Sequence, residues 1–464
     1  MHGVRVTSLR QILSSLPVSA DAGFKDRGAQ IALAAIAGGS CFSGGGRAAA
    51  GRTVLLATHG QLASALAMVA LDGLARRIVI CPPDLSDAGK AAIAARAGVD
   101  LIVVDTPFEP IPELASLELL ACCVDNVTKC HATTPAISTE WILLTSGTSG
   151  VPKAVRHSLS TLTGAIAPAS ANEPAIVWST FYDIRRYGGL QILLRAVLGG
   201  RSLMLSNDEE TMADFLVRAG AGGVTHLTGT PSHWRRALMS PAIAAISPGY
   251  IRLSGEIADQ AILDALKSSF PRAQINHAYA STEAGVVFVV SDGLEGFPAS
   301  LAGVDKDGME MRVVDGALHV RSGRTALDYV GKDAPELLDR DGFVDTGDMV
   351  ERRGERYYFA GRRGGIINIG GAKVHPEEVE TVINRQAGVR VSMVRGRSNP
   401  ITGAIVVAEV VLKDSARAAD GAAMQAVIVE ACRAELAAYK VPTSIRFVPD
   451  LPMSPNGKLL RRDV

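Results

Sequence analysis

The chain of 464 residues has room for roughly two to four domains, and its 47% hydrophobic content supports substantial cores. Lys+Arg and Asp+Glu each total 47, and the resulting zero net charge argues against nucleic-acid binding through bulk electrostatics. No stretch approaches the roughly 20 apolar residues needed to cross a bilayer, and the first residues lack a signal-type apolar core, so a cytoplasmic protein without a membrane span is expected.

In chain order, the Gly/Ala-rich segment 38–51 (GGSCFSGGGRAAAG) reads as a surface loop. From Thr53 a rhythm sets in: TVLLAT is a buried strand, 60–75 an apolar helix, RIVICP a strand, 87–98 a helix and LIVVDT a third strand. Nearly unbroken apolar strands alternating with helices predict a parallel sheet covered on both faces. Six cysteines in so long a chain do not form a disulfide framework. Cys122, Cys123, Cys130 and His131 are adjacent in pairs; neighbouring side chains diverge, so reduced thiols are expected rather than zinc.

The apolar run Trp141–Leu144 then leads into Thr145, Ser146, Gly147, Thr148, Ser149, Gly150 and, after Val-Pro, Lys153. Glycines let backbone N–H groups approach an anion, hydroxyls add donors and lysine adds charge, which suits phosphate. The spacing is not G-x-x-x-x-G-K-[ST], which excludes the common kinase or motor loop. Alone, such a run is more often a solvated loop.

The strand–helix rhythm resumes with RSLMLS, GGVTHLTGT, YIRLSGE and a helix over 259–270. Near residue 300 the character changes, and Asp315-Gly316 between alternating runs predicts a hairpin. An α+β tail follows the glycine-rich segment 361–371, the predicted joint; Pro376 fits the first position of its first helix, with Glu377 and Glu378 at the positive end. The expected fold is α/β. A large N-terminal body (1–361) would combine repeated α/β units, parallel sheets and a small β subdomain, and a small α+β C-terminal lid (362–464) would complete it.

Four further stretches carry chemistry-bearing residues: NHAYASTEAG (276–285), GFVDTGDMV (342–350), YFAGRRGGIINIGGAKVHPEEVE (358–380) and PMSPNGKLLRRDV (452–464). Each alone has a plain reading as a helix start, a turn or a solvated tail. In order, together with the 145–153 loop, they resemble the adenylate-forming (AMP-dependent) synthetase/ligase superfamily: acyl-CoA synthetases, peptide-synthetase adenylation domains and luciferases. The loop matches T-S-G-T-[ST]-G-x-P-K residue for residue. Y-[GA]-x-T-E appears as Tyr279-Ala-Ser-Thr282-Glu283, T-G-D as Thr346-Gly347-Asp348, the hinge motif begins at Gly361-Arg362, and P-x-x-x-x-G-K runs from Pro452 to Lys458.

The resemblance implies ATP-dependent conversion of a carboxylic acid to an acyl-adenylate, then transfer to a thiol. It assigns Thr145–Gly150 and Lys153 to the β- and γ-phosphates, Thr282 to the α-phosphate and Glu283 to Mg²⁺. Tyr279 would face adenine with Gly255 at its edge, Asp348 would take the ribose hydroxyls, and Arg362 would support ribose and phosphate. Lys458 would bridge the carboxylate and α-phosphate. Gly371 would line the tunnel for a pantetheine arm. The acceptor is expected to be CoA; the same activation feeding a carrier-protein phosphopantetheine is the alternative, and an inactive nucleotide-binding homologue a further one. No nucleic-acid partner is implied, and the state is a monomer or homodimer.

Three positions depart from the family. Gly364 stands where the hinge has aspartate, and Asn368 where its loop often has lysine. In the acid pocket, the segment usually like F-H-x-x-G is Ile184-Arg185-Arg186-Tyr187-Gly188, preceded by Tyr182 and Asp183. Tyr182, Arg185 and Gly188 are therefore the expected acid-binding residues; either Arg185 reads a second polar or anionic group on the acid, or Arg185 or Arg186 turns outward to solvent.

Overall fold

A computed structural model describes residues 7–107, 111–129, 137–145, 152–167, 175–207, 209–304, 308–369, 372–399, 403–413, 421–453 and 459. The strands expected after Thr53 form as β1 (Thr53–Leu56), β2 (Arg77–Ile80) and β3 (Leu101–Val104), with α1 (Gln61–Leu71) and α2 (Asp87–Ala97) between them. Ser86 caps α2 through Gly89 N, and Gly98 closes it in the left-handed conformation at φ +66°. With Glu118–Ala121 and β4 (Glu140–Thr145) these strands run parallel, and β5 (Lys153–His157) folds back antiparallel on β4 in a seven-stranded sheet.

The second rhythm builds an eight-stranded sheet. Its middle holds β6 (Val177–Thr180), β7 (His226–Gly229), β8 (Tyr250–Ser254) and β9 (Gln274–Ser281), all parallel, and β10 (Gly285–Val290) returns antiparallel at one edge. The first large core lies against these sheets and includes residues of β1, β2 and β4 with α1 and α3 (Tyr187–Gly199). All eleven residues of α1 are buried, which accounts for its small, apolar QLASALAMVAL sequence. On the opposite face of the eight-stranded sheet, Leu227, Ile251 and Leu253 join α4 (Pro231–Met239) and the helix Gln260–Ser269 in a second core. Segment 38–51 is only partly superficial: Cys41, Phe42 and Ala49 are buried in the first core, correcting the surface-loop expectation.

The hairpin predicted at Asp315-Gly316 forms between Glu310–Val314 and Ala317–Arg321, with φ +50° and +77° at its two turn residues. It belongs to a six-stranded antiparallel sheet that also contains β11 (Val344–Arg353) and β12 (Arg356–Arg362). The tail has its own core, formed by α5 (Pro376–Asn384), β13 (Val389–Asn399), β14 (Gly403–Leu412), α6 (Gly421–Glu435) and Ser444–Phe447. Pro376 occupies the first turn of α5, and Glu378 accepts from His375 N at 3.3 Å.

Candidate active site

The ends of β8 and β9 lie at the carboxyl edge of the parallel strands, the usual ligand position in such sheets. Gly255 and Glu256 follow β8 directly, while Tyr279 lies within β9 and Thr282 and Glu283 just beyond it. Asp348, 69 residues past Tyr279, is brought to this edge by β11 and accepts the Tyr279 hydroxyl at 2.6 Å. Its other oxygen accepts Arg362 Nε at 2.9 Å, because Asp348 and Arg362 are register partners on β11 and β12. A carboxylate offers about four acceptor positions, so two remain for a ligand's hydroxyls. Burial, with the charge of Asp348 second, holds the Tyr279 phenol well above its ordinary pKa. Phe359 and Phe288 pack around its ring, with centroids 4.8 and 5.5 Å away.

A second group gathers at the β4–β5 hairpin. Thr145 and Lys153 are register partners at its loop end. Lys153 Nζ lies 5.0 Å from the ring centre of Tyr329, whose hydroxyl donates to Glu283 Oε1 at 3.3 Å. Lys153 and Glu283 thus share one aromatic neighbour. His157, at the far end of β5, holds the backbone of Thr282: its Nε2 donates to Thr282 O at 2.7 Å. Burial lowers the His157 pKa to about 4, so the ring is neutral at pH 7, with the proton on the nitrogen that faces a carbonyl. Tyr329 and His157 carry no motif; only the antiparallel pairing of β5 with Asp328–Tyr329 brings them in.

In the expected acid pocket, Tyr182 is buried, and its hydroxyl meets the carbonyl and the Oγ of Ser254 at 2.7 and 2.9 Å. Gly188 faces the Tyr182 ring, which a Cβ there would touch at 3.5 Å. The next glycine is the stricter one: a Cβ on Gly189 would stand 2.2 Å from Asp183 O, so only glycine lets α3 start this close to the preceding turn. Sequence reasoning passed over it. Arg185 corrects the expectation most sharply. Its residue is 1% exposed, its Nε and Nη2 bind Asp183, and its Nη1 donates at 2.8 Å to both Thr58 O and His59 O. A guanidinium committed in this way ties two loops together, with its charge already met by Asp183. Arg186 turns to Asp84.

Ser146, Gly147, Thr148, Ser149, Gly150, Gly371 and Lys458 lie outside the described residues, as do Cys130 and His131. Cys122 is buried and Cys123 exposed. Leu459, the residue after Lys458, pairs with Met453 in an antiparallel bridge, and its N–H donates to Glu256 Oε1 at 3.3 Å. The tail therefore touches the body one residue beyond Gly255. Among the described residues, no helix is long and apolar enough to cross a membrane.

A family model described as AMP-binding enzyme matches residues 46–324, more than half of the chain, and one described as AMP-binding enzyme C-terminal domain matches residues 378–458. A methyl-dioxo-octahydroindenyl-propanoyl:CoA ligase of Rhodococcus jostii is 27% identical over 345 residues, covering 69% of this chain and 63% of that protein. A 2-succinylbenzoate–CoA ligase of Bacillus cereus is also 27% identical over 345 residues, covering 70% and 69%. The chain thus aligns with about two thirds of each relative's length. Among solved structures, an anthranilate CoA ligase in complex with anthranoyl-AMP superposes with a TM-score of 0.80 at 18% identity, covering 98% of this chain and 96% of the other. A benzoate CoA ligase from Burkholderia xenovorans gives 0.79 at 17% identity, covering 98% of each. At these identities the structures establish the shared fold.

Proposed function

The chain belongs to the AMP-binding enzyme family, and from that premise we propose that it activates a small carboxylic acid with ATP and passes the acyl group to the thiol of CoA. The first step joins a carboxylate oxygen to the α-phosphorus and breaks the bond to pyrophosphate; the second moves the acyl carbon from AMP to sulfur. The named relatives, all CoA ligases, support CoA as the acceptor.

One observation carries the reading: residues from five distant segments meet at one edge, and the tail contributes Leu459 to it through Glu256. In the proposal, Asp348 takes the two ribose hydroxyls on the lone pairs left free by Tyr279 and Arg362. Tyr279 and the backbone at Gly255 flank adenine. Thr145, Ser146, Gly147, Thr148, Ser149, Gly150 and Lys153 hold the departing pyrophosphate, and Thr282, steadied by His157, donates to the α-phosphate.

The Glu283 carboxylate, anchored by Tyr329 and backed by Lys153, suits a hard cation with oxygen ligands; it would hold Mg²⁺, which would neutralise phosphate charge. Two anions must approach each other, and Lys458 supplies positive charge between them. The joint proposed between residues 361 and 362 then lets the tail withdraw, so that a pantetheine arm enters past Gly371.

The test is pyrophosphate release over a panel of acids, followed by thioester formation with CoA. Acid-dependent release and a CoA thioester are expected. ATP binding without release for any acid would make the protein a nucleotide binder. Thioester formed only with a holo-carrier protein would reassign the acceptor.

A further inference from the structure

One row of the eight-stranded sheet is polar where buried strands are usually apolar. Thr180, Thr228, Arg252 and Asn276 are register partners across β6, β7, β8 and β9, and each is at least nine-tenths buried. Strand alternation sets their direction. Ile251 and Leu253 enter the core on the α4 side, so Arg252 shares the other face with Tyr250, which packs on the α3 core, and with Ser254, which touches Tyr182.

Arg252 is 7% exposed, and among the described residues its side chain makes no hydrogen bond or ion pair. Across from it, Tyr187, Gln191 and Arg195 recur every fourth residue along one face of α3. Gln191 Oε1, Arg195 Nε and, on the sheet, Thr228 Oγ1 are buried without partners. Arg195 holds one long bond, from Nη2 to Ala165 O at 3.3 Å. Burial, followed by the like charge of Arg252, pushes the Arg195 pKa down to about 10, so the two cations sense each other. Among the described residues, the carboxylates at this end of the sheet are engaged elsewhere: Asp183 by Arg185, and Glu256 by the N–H groups of Ser232 and Leu459. A buried cation without a counter-charge is strongly unfavourable, and a second one beside it makes the position worse.

We propose that Arg252, flanked by Arg195, is an anion subsite at the floor of the acid pocket, and that the acid carries a second anionic group, a carboxylate or sulfonate, which docks there. This rests on the ligase reading above. Arg252 lies two residues below Ser254, so the second anion sits about 7 Å or more from the reacting carboxylate at the strand ends. Charge-assisted hydrogen bonds from the guanidinium then select for that group, because an acid lacking it leaves the cation buried and unpaired.

The experiment compares matched acids: hexanedioate with hexanoate, octanedioate with octanoate, and benzene-1,4-dicarboxylate and 4-sulfobenzoate with 4-methylbenzoate. Two measurements are made on each, kcat/KM for pyrophosphate release and calorimetric binding in the presence of AMP. The wild-type protein should favour at least one doubly anionic acid by about 100-fold or more over its matched monoacid. Arg252→Gln should bring that ratio to within about tenfold, and Arg252→Lys should restore part of it. If Arg252→Gln does not fold, the wild-type ratio and Arg252→Lys decide. Pyrophosphate release from monoacids at least as fast as from diacids overturns the subsite while leaving the ligase standing. Tighter binding of diacids without any pyrophosphate release overturns the ligase while leaving the subsite standing. A ratio unmoved by Arg252→Gln overturns the assignment to Arg252.

Discussion

The two ends of the proposed site, nucleotide and acid, are built on opposite electrostatic plans. At the nucleotide end the charges arrive paired: Asp348 is held by Tyr279 and Arg362, and Glu283 by Tyr329. At the acid end Arg252 and Arg195 face each other with polar neighbours but no bonded carboxylate among the described residues. A paired site is organised before its ligand arrives, so binding costs little rearrangement. An unpaired cation stores an unfavourable interaction that only a complementary ligand relieves. The first arrangement suits a ligand common to the whole family, and the second makes the acid responsible for completing its own site.

The largest effect that would break this contrast concerns Arg185, a paired arginine between the two ends. Arg185→Leu should cost about 3–5 kcal/mol of folding stability by leaving Asp183 buried without its partner. Denaturant unfolding measures it. A stable variant with a selective rise in KM for polar acids would return Arg185 to the pocket.

Next in size, Lys458→Ala should slow adenylate formation by roughly two to three orders of magnitude while largely sparing thioester formation from a supplied acyl-adenylate. Equal losses in the two half-reactions would remove the proposed role.

A pH experiment probes the neutral histidine behind Thr282. The folded pKa of His157 is depressed to about 4 from an unfolded value near 6.5, so its contribution is complete above pH 6.5 and is lost as pH falls towards 4. His233, lowered to about 3 by burial, adds to the same trend. About 2–3 kcal/mol of stability should disappear per histidine over that window. Unfolding curves of His157→Gln should show a shallower slope between pH 6.5 and 4, and an identical slope would exclude His157 as a contributor.

Smallest is Asp348→Ala, which should weaken ATP and AMP binding by about 1–3 kcal/mol while leaving the preference between paired acids unchanged. Calorimetry with AMP reads the first part, and the matched acids above read the second.

The proposed nucleotide end was legible in the sequence because its chemistry sits in short local runs of small, hydroxyl and acidic residues at strand ends and turns, from Thr145 to Asp348. The hairpin at Asp315-Gly316 and the start of α5 were legible for the same local reason: turn and cap residues announce themselves. The acid end was not. Three arginines compete for it, and spacing alone cannot say that Arg185 folds back onto Asp183 while Arg252 points to α3. That choice depends on which face of β8 meets which core, a property of sheet stacking. Tyr329 and His157 were missed because strand pairing, not sequence proximity, brings them to Glu283 and Thr282.

Among the described residues, the tail meets the body by packing of α5 against β12 and of β13 against α4, and by a few polar contacts. Beyond the Leu459–Glu256 bond, Arg385 reaches Glu295 at 3.0 Å with both side chains partly in solvent. An exposed ion pair contributes about 0–1 kcal/mol and weakens as salt rises. In the proposed cycle, Lys458 acts with the tail docked and the thiol step needs it withdrawn. Added salt would weaken the Arg385–Glu295 pair and so should slow adenylate formation more than thioester formation.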